Sequence, residues 1–371
     1  MDHDRRRALR PPAWLALLAL LAVAAAACGT SGATRTSPTT PRASTTSTTT
    51  TSTTTTTTTL PRSVRLRGTG LTGSGTSSGG SPGPTASYGA VERIRITPLP
   101  AGASVPPPTT TSLPDPPGTV VVAYHELGSG PDLVLVPPEH ASMTSWDPAV
   151  VEALAKQYTV VLFDPPSVGY SPPDPSVRSI QALADVTGGL LAGLGLSEAT
   201  VLGWGMGGQV ALSLAERHPG LVGRLVLVDA TAGGPGAPRP PAAVTKLLAS
   251  PSTTTAELVA LELASPTART ALLERMAAYA PDDLTTAAVR QEAAIEAGSY
   301  RDPTVAADLG RIRAPALVVT GGRDAVIPPA ASQALAARLR HARRLLLPAA
   351  GYGVLTQDEA RVVAAIEAFT R

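Results

Sequence analysis

The chain has 371 residues and a formal net charge of +2, and this near-balance gives no electrostatic reason to propose a nucleic-acid partner. Hydrophobic residues make up 43% of it but aromatic residues only 3%, so any core is built mainly from Ala, Val and Leu. Its single cysteine, Cys28, excludes an intramolecular disulfide, and composition is so uneven that only the later part of the chain can bury a core.

Taken in chain order, Arg5, Arg6, Arg7 and Arg10 precede an apolar run from Trp14 to Ala26. That run is too short to span a membrane, and the layout predicts an export signal over residues 1–27. Without those residues, 26 basic and 26 acidic residues remain. Ala25-Ala26-Ala27-Cys28 resembles the lipobox of bacterial lipoproteins, in which the cysteine thiol is acylated and becomes the new N-terminus, although the leucine preferred three residues earlier is absent. The expectation is a protein anchored through lipidated Cys28 to the outer face of a bacterial cell membrane. The alternative is an ordinary signal peptide with an incidental cysteine.

Residues 28–117 are rich in Thr, Ser, Pro and Gly, and only two serines interrupt the tract from Thr45 to Thr59. Such a segment buries too little to fold, and as a random coil of its length would span about 50 Å, a tether in its expected role. It is either O-glycosylated or an unmodified spacer. Val91 to Ile96 alternates enough for a short strand, closed at once by Pro98 and Pro100.

From residue 118 the pattern changes to short β-branched runs alternating with Ala/Leu-rich helical stretches, which predicts an α/β fold with a mostly parallel central sheet and helices on both faces. Strands are expected at 120–124, 133–136, 160–163, 200–203, 225–229, 316–320 and 344–347. Helices are expected at 148–157, 179–193, 208–218, 330–340 and 358–369, all with apolar residues three or four apart. The alternation breaks between Asp229 and Pro315, where only helices are read, at 242–248, 255–263, 268–278 and 287–297. A helical insertion at about 231–314 would lie over the C-terminal edge of the sheet, where open α/β folds bind ligands.

Over residues 119–371 the chain resembles the α/β-hydrolase superfamily, in the group with a helical cap. Leu133 to Trp146 resembles the strand and oxyanion loop, and Asp164-Pro165-Pro166-Ser167-Val168-Gly169-Tyr170-Ser171 resembles the turn D-x-R-G-x-G-x-S. Gly203-Trp204-Gly205-Met206-Gly207-Gly208 resembles the nucleophile elbow, and Val318 to Asp324 the strand end that bears the catalytic acid. The chain departs from the family where the chemistry resides. The elbow motif G-x-S-x-G presents its serine as nucleophile, and that position is Gly205. The histidine expected after the last strand is replaced by Tyr352, which at neutral pH is a poor base. Pro137-Pro138 stands where the oxyanion loop usually has His-Gly; of the former oxyanion positions, Glu139 and Met206, the Glu139 amide remains able to donate but its carboxylate would oppose an oxyanion. Asp324 alone survives from the triad. The N-myc downstream-regulated proteins are similar in combining this fold with a degenerate elbow.

The expectation is therefore a tethered domain without catalysis, binding a small apolar or lipid-like ligand or a cell-envelope protein. His140, Trp204 and Tyr352 are the candidate ligand contacts, with Tyr352 and Asp324 expected to hydrogen-bond in place of the triad. A pocket function implies an apolar cavity beneath residues 235–310, a partner function a filled cavity and an exposed apolar patch. The alternative is a carboxylic-ester hydrolase using His140 with Ser142, Ser145 or Ser167. No cofactor is implied, and none of the histidines forms a metal-ligand cluster.

Overall fold

The computed structural model describes residues 91–102, 118–263, 265–277 and 284–371. The export signal, Cys28 and the Thr-rich tract lie outside the described residues. Eight strands form one sheet: β1 (Glu92–Ile96), β2 (Val120–Gly128), β3 (Asp132–Val136), β4 (Thr159–Asp164), β5 (Ala199–Trp204), β6 (Val222–Val228), β7 (Ala316–Gly321) and β8 (Ala342–Leu347). Their order is β1-β2-β4-β3-β5-β6-β7-β8. The pairs β1–β2 and β2–β4 are antiparallel and all later pairs are parallel, so the mostly parallel sheet expected from the sequence is present.

The sheet is buried on both faces because side chains alternate along each strand. Val134 and Val136 enter one core with α2 (Ile180–Gly193), α3 (Met206–Arg217) and α8 (Pro329–Arg338). Leu133 and Leu135 enter the other with α1 (Pro148–Ala155), α9 (Val354–Gln357) and α10 (Glu359–Thr370). Asp147 caps α1 through Ala149 N–H at 3.1 Å, and Ser179 caps α2 through Ala182 N–H at 3.1 Å, which fixes both starts close to the expected positions.

Two expectations need correction. The folded domain does not begin at residue 118, since β1 pairs with β2 from Glu92↔Tyr124 to Ile96↔Val120 and forms the sheet's edge. An edge strand tolerates the prolines that follow it because only one side must be paired. The second is the end of β2, which runs to Gly128 rather than stopping at Tyr124, because His125, Glu126 and Leu127 pair with Leu162, Val161 and Val160 of β4.

Between β6 and β7 lie α4 (Ala242–Leu248), α5 (Thr255–Glu262), α6 (Pro266–Ala277) and α7 (Thr286–Ser299). Val259, Leu263, Leu272 and Met276 form a small core of their own within this cap. Arg275 of α6 grips the buried Asp147 carboxylate at 2.6 and 2.9 Å, a bidentate tie between the cap and the start of α1. Among the described residues no helix is long and apolar enough to cross a membrane.

Asp164, at the end of β4, is fully buried and fastens two loops: it accepts from Met143 N–H at 2.6 Å and Tyr170 N–H at 2.8 Å. It fixes a turn, as its position after a strand implied. Asp164→Ala strands both donors, and the expected loss is at least about 3 kcal/mol of unfolding free energy, measurable by denaturant titration.

Candidate functional site

The site is built on the turn from β5 into α3. Gly205 holds φ 56° and ψ −120°, with its N–H donated to Val228 O at 3.0 Å. A residue with a side chain is strained in that conformation. A Cβ placed on Gly205 would also run into the Tyr352 hydroxyl and stand 3.2 Å from Pro138 Cβ. At Gly207 a Cβ would run into the carbonyl oxygens of Val136 and Pro137, so the close approach of α3 to β3 needs glycine there.

Tyr352 reaches Gly205 because its loop is pinned from both sides. Gly351 N–H donates to Gln357 Oε1 at 2.7 Å, and Gly353 N–H to the Glu262 carbonyl of the cap at 3.1 Å. Its ring packs on Trp204 at 5.1 Å between centroids, and Trp204 on Trp146 at 5.7 Å. The expected hydrogen bond between Tyr352 and Asp324 does not form. The Tyr352 hydroxyl is buried without a hydrogen-bond partner. Asp324 Oδ1 instead accepts from Val326 N–H at 2.7 Å and Ile327 N–H at 2.9 Å.

Asp324 also faces Asp229, which follows β6 at φ 42° and accepts from Gly321 N–H at 2.8 Å. Burial and the neighbouring Asp324 charge hold the Asp229 carboxyl well above its usual range, and burial pushes Asp324 up to about 7. Asp324 thus stands beside a second buried acid at the end of β6.

On the opposite side of Gly205, the Glu139 carboxylate stands near its own N–H and the Met206 N–H. These are the two former oxyanion positions, so the carboxylate occupies the space an oxyanion would take, at the N-terminus of α3 where the helix dipole favours negative charge. Burial raises its pKa while the two amides pull it down. Next in the chain, His140 has φ 63°, held by its N–H to Glu292 Oε2 at 2.8 Å. Burial lowers the His140 pKa to about 4, and a ring nitrogen donates to the Leu248 carbonyl, so the ring is neutral with Nε2 buried and unpartnered.

Behind this loop stand Glu292 and Glu296 of α7. Burial first, then the Glu139 charge, pushes Glu292 up to about 8; burial, Glu139 and Glu292 push Glu296 up to about 9. Neither was singled out from sequence, since a glutamate on a helix normally marks its solvated face. Among the described residues no group of three or more His, Cys, Asp or Glu is placed to hold a metal ion.

A cavity of 660 Å³ opens between this floor and the cap, lined by Glu139, His140, Trp204 and Tyr352 below and by Leu258, Val259, Leu273 and Met276 above. The fold therefore brings Gly205, Met206, Glu139, His140, Trp204 and Tyr352 together and leaves Asp324 to one side. Large exposed hydrophobic side chains among the described residues are limited to Tyr170 and Leu346. Of the candidate serines, Ser142 Oγ is bonded to Thr144 Oγ1 at 2.8 Å, Ser145 Oγ accepts from Ser142 N–H at 3.0 Å, and Ser167 Oγ accepts from Asp174 N–H at 2.9 Å. All three hydroxyls thus take part in capping or turn contacts, and of the three Ser145 lines the cavity together with His140.

A family model described as alpha/beta hydrolase fold matches residues 131–354. RutD of Caulobacter sp. (strain K31) is 30% identical over 269 residues, covering 66% of this chain and 94% of that protein. The pimeloyl-[acyl-carrier protein] methyl ester esterase of Aeromonas hydrophila is 28% identical over 259 residues, covering 67% of this chain and 98% of the esterase. Among solved structures, a thermophilic esterase from Thermogutta terrifontis superimposes with a TM-score of 0.58 at 24% identity, over 76% of this chain and 98% of its own, a likeness of fold.

Two outcomes follow from the geometry. Gly205→Ala should lower stability by about 2–4 kcal/mol, from backbone strain plus the collision with Tyr352, and combining it with Tyr352→Ala should cancel at least about 1 kcal/mol of that loss. Additive losses in the double-mutant cycle would separate the two residues. The buried acids set the pH response: Glu262 and Glu292 at about 8, Glu296 at about 9 and Asp324 at about 7 keep protons in the folded state that the unfolded chain releases near 4. Their stabilisation is present at acid pH and is lost as pH rises through those values, whereas His140, at about 4 against 6.5, opposes this only below pH 6.5. The melting temperature should fall from pH 6.5 to 9, and Glu296→Gln should flatten the slope.

Proposed function

The chain belongs to the α/β-hydrolase fold family, and within it we propose that the domain is a non-catalytic binder whose cap-covered cavity holds a small or lipid-like molecule. The observation that carries this reading is the filling of the reaction centre by the chain's own side chains. The Tyr352 hydroxyl lies against the face of Gly205 that a nucleophile's side chain would use, and the Glu139 carboxylate stands beside both amides at the oxyanion position.

Acyl transfer in this family needs a nucleophile, a base that accepts its proton, and donors free to meet developing negative charge. Glycine supplies no nucleophile. Tyr352, with burial holding its pKa well above 10, takes up no proton at neutral pH. His140 is neutral and accepts protons only near pH 4. A substrate oxygen at the oxyanion position would have to displace a buried carboxylate from beside two amides, and the charge of that carboxylate would oppose it.

The relatives named as esterases support a pocket that once faced acyl esters, with cavity and cap retained and the chemistry at the floor lost. Confinement of exposed apolar side chains to Tyr170 and Leu346 among the described residues favours a pocket ligand over an envelope protein partner. We further propose that the domain is exported and tethered at the outer face of a bacterial cell membrane, on the strength of the lipobox-like Ala25-Ala26-Ala27-Cys28 and the Thr-rich segment that follows.

The test is turnover of a panel of chromogenic acyl esters by the full chain, beside a Gly205→Ser/Tyr352→His variant. The wild type should give no release above the uncatalysed rate. Repeated turnover that survives further purification would overturn the reading.

A further inference from the structure

The polar atoms at the cavity floor are unbalanced in a way that specifies a ligand. Glu139 and Tyr352 are each 6% exposed and His140 9%. Glu139 Oε2, His140 Nε2 and the Tyr352 hydroxyl are all buried without a hydrogen-bond partner, on residues that line one cavity. A carboxylate oxygen is an acceptor, and so is His140 Nε2 once the other nitrogen holds the proton that meets Leu248. Both atoms call for a donor from outside the chain.

Charge points the same way. Glu262 lines the cavity beside Glu139, and Glu292 and Glu296 stand behind the same loop. The nearby cation of the cap, Arg275, is already committed to Asp147 at 2.6 and 2.9 Å. A ligand bearing a carboxylate or phosphate would meet the Glu139 carboxylate and a row of buried carboxyls held neutral, in a poorly solvated space. An ammonium would instead pair with the Glu139 carboxylate, and the rings of Trp204 and Tyr352, 5.1 Å apart and bordering the cavity, favour a cation further.

Resting on the pocket reading above, we propose that the cavity binds an amphiphilic amine, its ammonium head donating to Glu139 and His140 at the floor and its apolar tail lying against Leu258, Val259, Leu273 and Met276 of the cap. At 660 Å³ the cavity falls within the range of about 300–1,000 Å³ that holds small organic ligands.

Calorimetric titration of the full chain with octylamine, protonated at neutral pH, is compared with 1-octanol and octanoate, which carry the same tail. Octylamine should bind at least about tenfold more tightly than octanoate, with octanol between them. Glu139→Gln should weaken octylamine about tenfold and octanol by clearly less, the retained octanol binding reporting that the variant is folded. If octanoate equals or exceeds octylamine, or octylamine affinity survives Glu139→Gln, the amine assignment falls while octanol binding leaves the pocket standing. If none of the three binds, the pocket reading fails and the assignment with it.

Discussion

The hand-over from β5 to α3 at Gly205 is the constraint on which the site depends. With φ 56° and ψ −120°, that residue reverses the chain so that α3 starts directly above the strand ends and points Met206 N–H at the Glu139 carboxylate. The same reversal exposes the Cα of residue 205 to the space above the sheet, and there Tyr352 closes over it. Relaxing the turn would displace the oxyanion amides, the aromatic stack of Trp204 on Tyr352 and the packing of α3 on β3 together, because all three are referred to one backbone geometry.

Around this turn the chain buries more carboxyl groups than it can neutralise. Asp147 has Arg275 and Asp164 has two amides, and both are ordinary structural solutions. Among the described residues Glu139, Glu262, Glu292 and Glu296 have no such cation, and Asp229 and Asp324 stand together with both carboxyls raised by burial. Uncompensated burial of this kind lowers stability relative to apolar side chains of similar size. A concentration of it around one cavity, in a domain whose remaining core is Val, Leu and Ala, marks the place where the fold serves something other than its own stability.

Most of the fold was legible because it rests on local pattern. The apolar runs at 133–136, 160–163 and 316–320 lie within β3, β4 and β7, and the cap helices fall within a few residues of their expected positions. β1 was legible as a short strand at 91–96 but not as an edge of the sheet, and the second half of β2 was harder to read, since polar residues such as His125 and Glu126 are admitted by pairing that local pattern does not reveal. At the site, the residues that are missing could be read directly: a glycine where serine belongs and a tyrosine where histidine belongs. What replaced them could not. That Tyr352 covers Gly205 and bypasses Asp324 depends on loop anchors contributed by Gln357 and the cap's Glu262, and Glu292 and Glu296 reach the site only because α7 folds back over the sheet.

In the non-catalytic reading proposed above, the residues at these positions also protect one another. Serine at 205 needs the volume now taken by the Tyr352 hydroxyl, so the nucleophile cannot return while the tyrosine remains. Histidine at 352 would find Asp324 already accepting from two amides, and would have to compete with them to be oriented. A restored nucleophile and base would still meet a substrate whose oxyanion amides stand beside the Glu139 carboxylate. Replacing the tyrosine clears position 205 but leaves the contacts of Asp324 and the carboxylate of Glu139 in place. The same contacts turn the floor of the cavity from a set of donors awaiting negative charge into a set of acceptors. A site of opposite polarity then follows from the replacements themselves, without any change in the sheet, the elbow or the cap that carries them.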